Sequence, residues 1–177
     1  LATDADATDD VTYSLSDDFG GAFKIDPNTG VITVKNSTPL DIESDPTPTV
    51  EVTATSDDGS TSTENFIINL QDADEFDVGA IEDDNNATNE VGENASANTT
   101  VGITALASDP DVTDDITYSL SDDYNGALKI DPNTGVITVK NSTNLDFETD
   151  QTPTVEVTAT SDDGSTSSAT FTINLID

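Results

Sequence analysis

The stretch Lys24-Ile-Asp-Pro-Asn-Thr-Gly-Val-Ile-Thr-Val-Lys-Asn-Ser-Thr38 returns unchanged from Lys129 to Thr143. At its centre lies Asp26-Pro27-Asn28-Thr29-Gly30. Proline presets the backbone for the second position of a type I turn, and glycine accepts a positive φ behind it. A short apolar run, Phe23 to Ile25, precedes the turn, and Gly30-Val-Ile-Thr-Val34 follows it. The stretch therefore predicts a β-hairpin, and the hairpin alone accounts for it without any chemistry.

Working outward, an offset of 105 aligns residues 1–72 with 106–177 without a gap, and 56 of 72 positions are identical. The differences keep apolar character where a core would need it: Val11 becomes Ile116, Phe19 becomes Tyr124, Phe23 becomes Leu128 and Ile42 becomes Phe147. The chain thus holds two copies of one unit, with expected boundaries at 1–75 and 76–177. Residues 73–105 precede the second copy. The first copy is expected to lack that opening third, including its first strand, and to belong to a longer array.

Around the hairpin, Val11-Thr-Tyr-Ser-Leu15 and Thr49-Val-Glu-Val-Thr-Ala-Thr55 alternate with period two. Phe66-Ile-Ile-Asn-Leu70 closes the unit, with Phe66, Ile68 and Leu70 expected inward. Asn89 to Val91 and Thr100 to Ala105 open the second copy, and Glu82 to Thr88 reads as an extra polar loop. Six or seven short strands per 105 residues, with no capped 3.6-residue period, predict an all-β two-sheet sandwich almost free of helix.

The charge is −33, from 37 acidic and 4 basic residues. Four lysines cannot build a basic patch, so nucleic acid is excluded as a partner and anionic membrane surfaces are disfavoured. No apolar run has the length of a membrane span. Cysteine and histidine are absent. Disulfides, thiolate metal sites, the usual zinc ligand and the commonest general base go with them. What remains is oxygen, and a multivalent hard cation is the natural partner.

The acids gather in five places. Ser108-Asp109-Pro110-Asp111 aligns with Thr3-Asp4-Ala5-Asp6, and Leu145-Asp146-Phe147-Glu148 with Leu40-Asp41-Ile42-Glu43. Ser161-Asp162-Asp163-Gly164 aligns with Ser56-Asp57-Asp58-Gly59. Asp72-Ala-Asp74-Glu75 lies between the copies, and Glu93-Asn94 near the start of the second. Acids at alternate positions point to one side, where one cation can collect them. Calcium accepts six to eight oxygens in flexible geometry. Singly, each motif reads more readily as a solvated turn than as a metal site.

In order, these motifs resemble a cadherin repeat, as do Tyr118-Ser-Leu120 and Ile130-Asp-Pro-Asn-Thr-Gly-Val-Ile137. The resemblance covers all of the second copy and the later two-thirds of the first. The Asp- and Thr-rich, near-identical copies look most like the cadherin-like repeats of giant bacterial surface adhesins of the RTX type. The resemblance implies two tandem Greek-key β-sandwich domains, the first truncated at its N-terminus, with Ca²⁺ bound between successive domains. Carried over by position, the ligands would be Asp41, Glu43, Asp72, Asp74, Glu75, Asp109, Asp111 and one of Asp162 or Asp163. Asp146, Glu148 and Asp177, and likewise Asp4 and Asp6, would be halves of further sites. The family's DxNDN linker is here Asp72-Ala-Asp-Glu-Phe76, and its LDRE is LDxE, so both LDxE acids remain while the linker asparagines do not.

The resemblance implies a calcium-rigidified extender in an extracellular, cell-surface adhesin, with neighbouring repeats of the same chain as partners. The alternative is a module that binds polysaccharide or a second copy. Aromatics are the usual sugar platform, and the chain has no Trp, three Tyr and six Phe. An enzyme is not expected: the carboxylates sit in turns that recur every 105 residues, on units too small for a walled cleft.

Overall fold

The computed structural model describes residues 2–3 and 9–177. Asp4 and Asp6 lie outside the described residues. The chain divides into two compact units, unit 1 at Leu1–Ala73 and unit 2 at Asp74–Asp177.

Unit 1 contains β1 (Val11–Asp17), β2 (Phe23–Ile25), β3 (Ile32–Val34), β4 (Thr49–Ser56) and β5 (Thr61–Ile67). They form a three-stranded sheet, β1-β4-β5, and the separate hairpin β2-β3. The hairpin register pairs Phe23 with Val34 and Ile25 with Ile32. Its turn is held by Asp26, whose Oδ1 accepts the amides of Asn28 (3.0 Å) and Thr29 (2.8 Å). Gly30 sits at φ 70°, a conformation side chains rarely adopt. The Tyr13 amide donates to the Pro27 carbonyl at 2.9 Å and ties β1 to the turn.

Unit 2 contains β6 (Glu82–Asp83), β7 (Glu90–Gly92), β8 (Thr100–Leu106), β9 (Ile116–Asp122), β10 (Leu128–Ile130), β11 (Val136–Val139), β12 (Thr154–Ser161), β13 (Thr166–Thr172) and β14 (Asn174–Ile176). One sheet runs β10-β11-β8-β6 and the other β13-β12-β9, while β14 pairs in parallel with β7. The only helical turn among the described residues is Ser142–Asn144. The chain is all-β, as the alternation predicts. The strand count exceeds expectation for two reasons. The last strand breaks at Ile173, where the chain leaves β12 for β7. The expected polar loop at 82–88 also begins with a two-residue strand, whose Asp83 Oδ1 accepts the Thr104 amide at 3.0 Å.

The cores differ in size. In unit 2, one cluster runs from Val78 and Ile81 through Val101, Ile103, Leu128, Ile137, Val139, Val155 and Val157 to Ile173 and Leu175. In unit 1 the fully buried apolar cluster is Ala22, Phe23 and Val50, with Leu15, Phe19, Ile32, Leu40 and Ile68 packed partly against it. Phe66, expected inward, is 47% exposed. Its partner across the sheet is Val50 on β4, which lies in the cluster with Ala22 and Phe23, while Phe66 lies outside it. The alignment gives an internal control. Ile137→Ala is expected to lower the stability of unit 2 by about 2–5 kcal/mol, as buried large-to-small changes do. Ile32→Ala, at the same position of the repeat but half-buried, should lower that of unit 1 by well under half as much. Urea unfolding read by hydrogen exchange on β12 and β4 measures both; equal losses would contradict the difference in packing.

Candidate metal centre

In unit 2, the segment after β8, the turn between β12 and β13, and the first residues of the unit bring carboxylates together. Asp109, Asp114 and Asp163 each place an oxygen within 4.8 Å of the others. Beside them Asp111 is only 3% exposed. Its Oδ2 accepts the Phe76 amide at 2.9 Å. Its Oδ1 is buried without a hydrogen-bond partner, as is Asp109 Oδ2. The cluster is fixed locally. Asp109 Oδ1 accepts the Asp111 amide (3.2 Å), and the Asp114 amide donates to the Asp111 carbonyl (3.2 Å). Asp114 Oδ2 accepts the Ser161 hydroxyl (3.2 Å), and Asp163 Oδ1 accepts the Ser165 amide (2.6 Å). The Ser165 hydroxyl in turn accepts the Val78 amide at 2.9 Å, which anchors the opening segment of the unit to this turn.

A buried carboxylate oxygen without a donor costs on the order of 1–3 kcal/mol or more. Two such oxygens fit a hard cation, with Asp109, Asp114 and Asp163 as the residues whose oxygens converge and Asp111 beside them. Asp74 reports the same field. Desolvation first, then the charges of Asp163, Asp111, Asp114 and Asp77, hold its carboxyl above the ordinary 3.8.

The folded state therefore binds this proton more tightly than the unfolded chain. In chelator, the contribution of Asp74 to stability is present below pH 3.8 and is lost as pH rises through the raised value. Asp131 has the opposite sign: its carboxyl is held low by the Thr134 amide first, then by that of Asn133. It supports folding above pH 3.8 and ceases to do so as pH falls through its depressed value. We expect Asp74→Asn to flatten the loss of stability as pH rises above 3.8 in EDTA, read from urea midpoints; an unchanged slope would contradict it.

At the other end of the sequence of unit 2, Glu93, Glu148 and Asp177 form a second group, again with oxygens within 4.8 Å. Parallel pairing of Gly92 with Ile176 puts Glu93 and Asp177 side by side. Glu93 Oε2 accepts the Phe147 amide at 2.9 Å, which brings in the Leu145–Glu148 motif. Asp146 itself is occupied by Thr149, from its amide (3.1 Å) and hydroxyl (2.9 Å).

In unit 1, Glu43 and Asp72 place carboxylate oxygens within 4.8 Å of each other. Asp41 turns to Ser44, accepting its hydroxyl at 2.7 Å and its amide at 3.2 Å. Those bonds hold its carboxyl below 3.8. Asp162 is exposed at its turn while its neighbour Asp163 joins the cluster, and Glu75 is exposed. Asp114 was not among the residues carried over from the repeat pattern. It stands three residues beyond Asp111, and only the tight turn closed by its own amide brings it back.

The sequence model of the family described as Cadherin domain matches residues 88–176. Among solved structures, the chain is similar to mouse cadherin-23 EC22-24, at 26% identity and a TM-score of 0.68, over 94% of this chain and 53% of that one. It is similar to the human desmocollin-1 ectodomain at 26% identity and a TM-score of 0.73, over 100% of this chain and 35% of that one. It is also similar to a cis-dimer of protocadherin gammaB7 EC3-6, at 25% identity and a TM-score of 0.69, over 95% and 40%. The chain thus spans about half of the first of these and less of the other two. No curated protein matches it.

Proposed function

This chain belongs to the cadherin domain family, and on that premise we propose that its units are calcium-stiffened extender repeats of a bacterial cell-surface adhesin of the RTX type. Cadherin domains are extracellular adhesion modules that generally bind calcium. No helix among the described residues is long and apolar enough to cross a membrane. The observation that carries the reading is the cluster around Asp111, whose buried, unsatisfied carboxylate oxygens call for a cation. The near-identity of the two copies, and candidate-site carboxylates that sit in loops and turns between the strands, support a scaffold rather than an enzyme.

A bound calcium ion would supply positive charge to carboxylates that otherwise repel one another. The chain does the rest. Asp109, Asp111, Asp114 and Asp163 are already held by amide and hydroxyl donors, so little ordering remains to be done on binding. Asp74, within the same field, would be relieved of the repulsion from Asp163, Asp111, Asp114 and Asp77, and the linker that carries it would become stiffer. Extracellular modules of this kind bind calcium at roughly 10⁻⁴–10⁻³ M. Small-angle scattering of the 177-residue chain tests the extender: calcium should narrow the distribution of maximum dimensions relative to EDTA. Identical curves would reject the stiffening. Cadherin relatives also pair with one another, as the gammaB7 cis-dimer does, so a homophilic partner is the second reading.

A further inference from the structure

All four basic residues of this acidic chain, Lys24, Lys35, Lys129 and Lys140, flank the repeated hairpin, two in each unit. The chain has 37 carboxylate side chains, yet none of the four lysines forms an ion pair among the described residues. In unit 2, Lys129 lies on β10, at the edge of its sheet, where a lysine discourages further pairing. That role does not cover Lys140, which follows β11, a strand with neighbours on both sides. Thr138 is the register partner of Lys129. Half-buried Thr138, buried Val139 and exposed Lys140 continue the alternation of β11. The two lysines are thus diagonal neighbours on the outer face, roughly 7–8 Å apart at Cα. One anion can lie between their ammonium groups.

Beside them is a cleft of about 340 Å³. Asn98, Lys129, Thr134 and Thr138 give it polar walls, and Ile130 and Val136 add aliphatic surface. The Lys129 ammonium donates to Asn98 Oδ1 at 2.7 Å. An ammonium has three donors, so two remain for a ligand, together with the amide nitrogen of Asn98. Asp131 also borders the cleft, but its Oδ1 is committed to the turn. It accepts the amides of Asn133 at 3.0 Å and Thr134 at 2.9 Å.

We propose that this cleft binds a carboxylated sugar within a polysaccharide whose acidic and neutral sugars alternate. Charge selects the ligand. Two lysines can hold one carboxylate, while the net charge of −33 repels a polymer charged at every unit. Sugar hydroxyls both donate and accept, as the Thr134 and Thr138 hydroxyls do, and the aliphatic surface of Ile130 and Val136 suits the C–H groups of a sugar ring. Lys24 and Lys35 stand at the same positions of unit 1, so the contact recurs along the chain, and one polymer can engage several weak sites at once. This function goes beyond stiffening and does not depend on calcium.

The test titrates a hyaluronan hexasaccharide, in which uronate alternates with a neutral amino sugar, into the full 177-residue chain. Calcium-free buffer with 0.15 M salt keeps the screening length near 8 Å, so that local charges decide. Amide shifts of Asn98, Thr134 and Thr138 read the site. The expected result is saturable shifts centred on these residues at millimolar sugar. The variant carrying Lys129→Gln and Lys140→Gln should bind at least tenfold more weakly in unit 2 with an unchanged unfolding temperature. The same sugar with its carboxyls reduced to alcohols should lose as much. Absence of saturation, shifts centred elsewhere, or equal binding by the double variant or by the reduced sugar would overturn the proposal. A peptide of alternating Glu and Ser that binds as tightly would assign the cleft to acidic peptides, and would overturn the sugar as its ligand.

Discussion

In about 10 mM calcium, unit 2 should unfold roughly 6–20 °C above its temperature in EDTA. An ion present at about ten to a hundred times its dissociation constant adds about 1.4–2.7 kcal/mol per site. One kcal/mol moves the midpoint of a domain of 60–100 residues by roughly 4–8 °C. The acidic cluster repels itself: Asp74 is destabilised as an anion by desolvation first, and then by Asp163, Asp111, Asp114 and Asp77 together. Magnesium at the same concentration should do far less, because it demands near-octahedral geometry and gives up its waters reluctantly. A thermal melt in the three solutions makes the comparison. Equal midpoints would leave the acids as solvated surface charge on a sandwich that still stands.

Asp111→Asn should act with opposite sign in the two solutions. The amide keeps a side-chain oxygen for the Phe76 N–H but removes the most buried negative charge of the cluster. In EDTA the variant should unfold at or above the parent temperature, because like-charge repulsion falls and a charged oxygen without a donor is no longer buried. In calcium it should lose most of the gain, with affinity down at least tenfold. If Asp111 served packing alone, the substitution would lower the melt equally in both solutions. The same two melts distinguish these cases.

Much of the fold was legible because its signals are local. The turn at Asp26-Pro27-Asn28-Thr29-Gly30 and the alternation of Thr49 to Thr55 each depend on a few neighbouring residues, and both elements form where expected. What escaped depends on residues far apart in sequence. Val34 and Val139 sit in identical fifteen-residue contexts, yet one is exposed and the other enclosed. The difference lies in β8, some thirty residues before β11 and outside any local window. Phe66 looked like a core residue by alternation, but among the described residues the apolar cluster that buries its neighbour Val50 does not extend to it.

The candidate site divides in the same way. The paired acids at Asp109 and Asp111 could be picked out from spacing and resemblance, but these left Asp162 and Asp163 as alternatives, of which Asp163 lies with the other acids. Asp114 could not, because a Thr-Asp-Asp run in an acidic chain gives no sign that a turn will fold it back. Asp41 shows the reverse case. Its LDxE motif is intact, but Ser44 engages both carboxylate oxygens, and Asp146 is engaged by Thr149 in the same manner. These aspartates brace their loops, and the glutamates two residues on, Glu43 and Glu148, are the ones that reach other acids.

The most direct test is equilibrium calcium binding to the 177-residue chain in about 0.15 M salt, where diffuse attraction to a highly acidic surface is largely screened. Saturable uptake with a dissociation constant of roughly 10⁻⁴–10⁻³ M, undisturbed by equimolar magnesium, is the predicted result. Uptake that rises without saturating and fades as salt is added would mean that the chain gathers calcium only as a counter-ion, and would contradict the account.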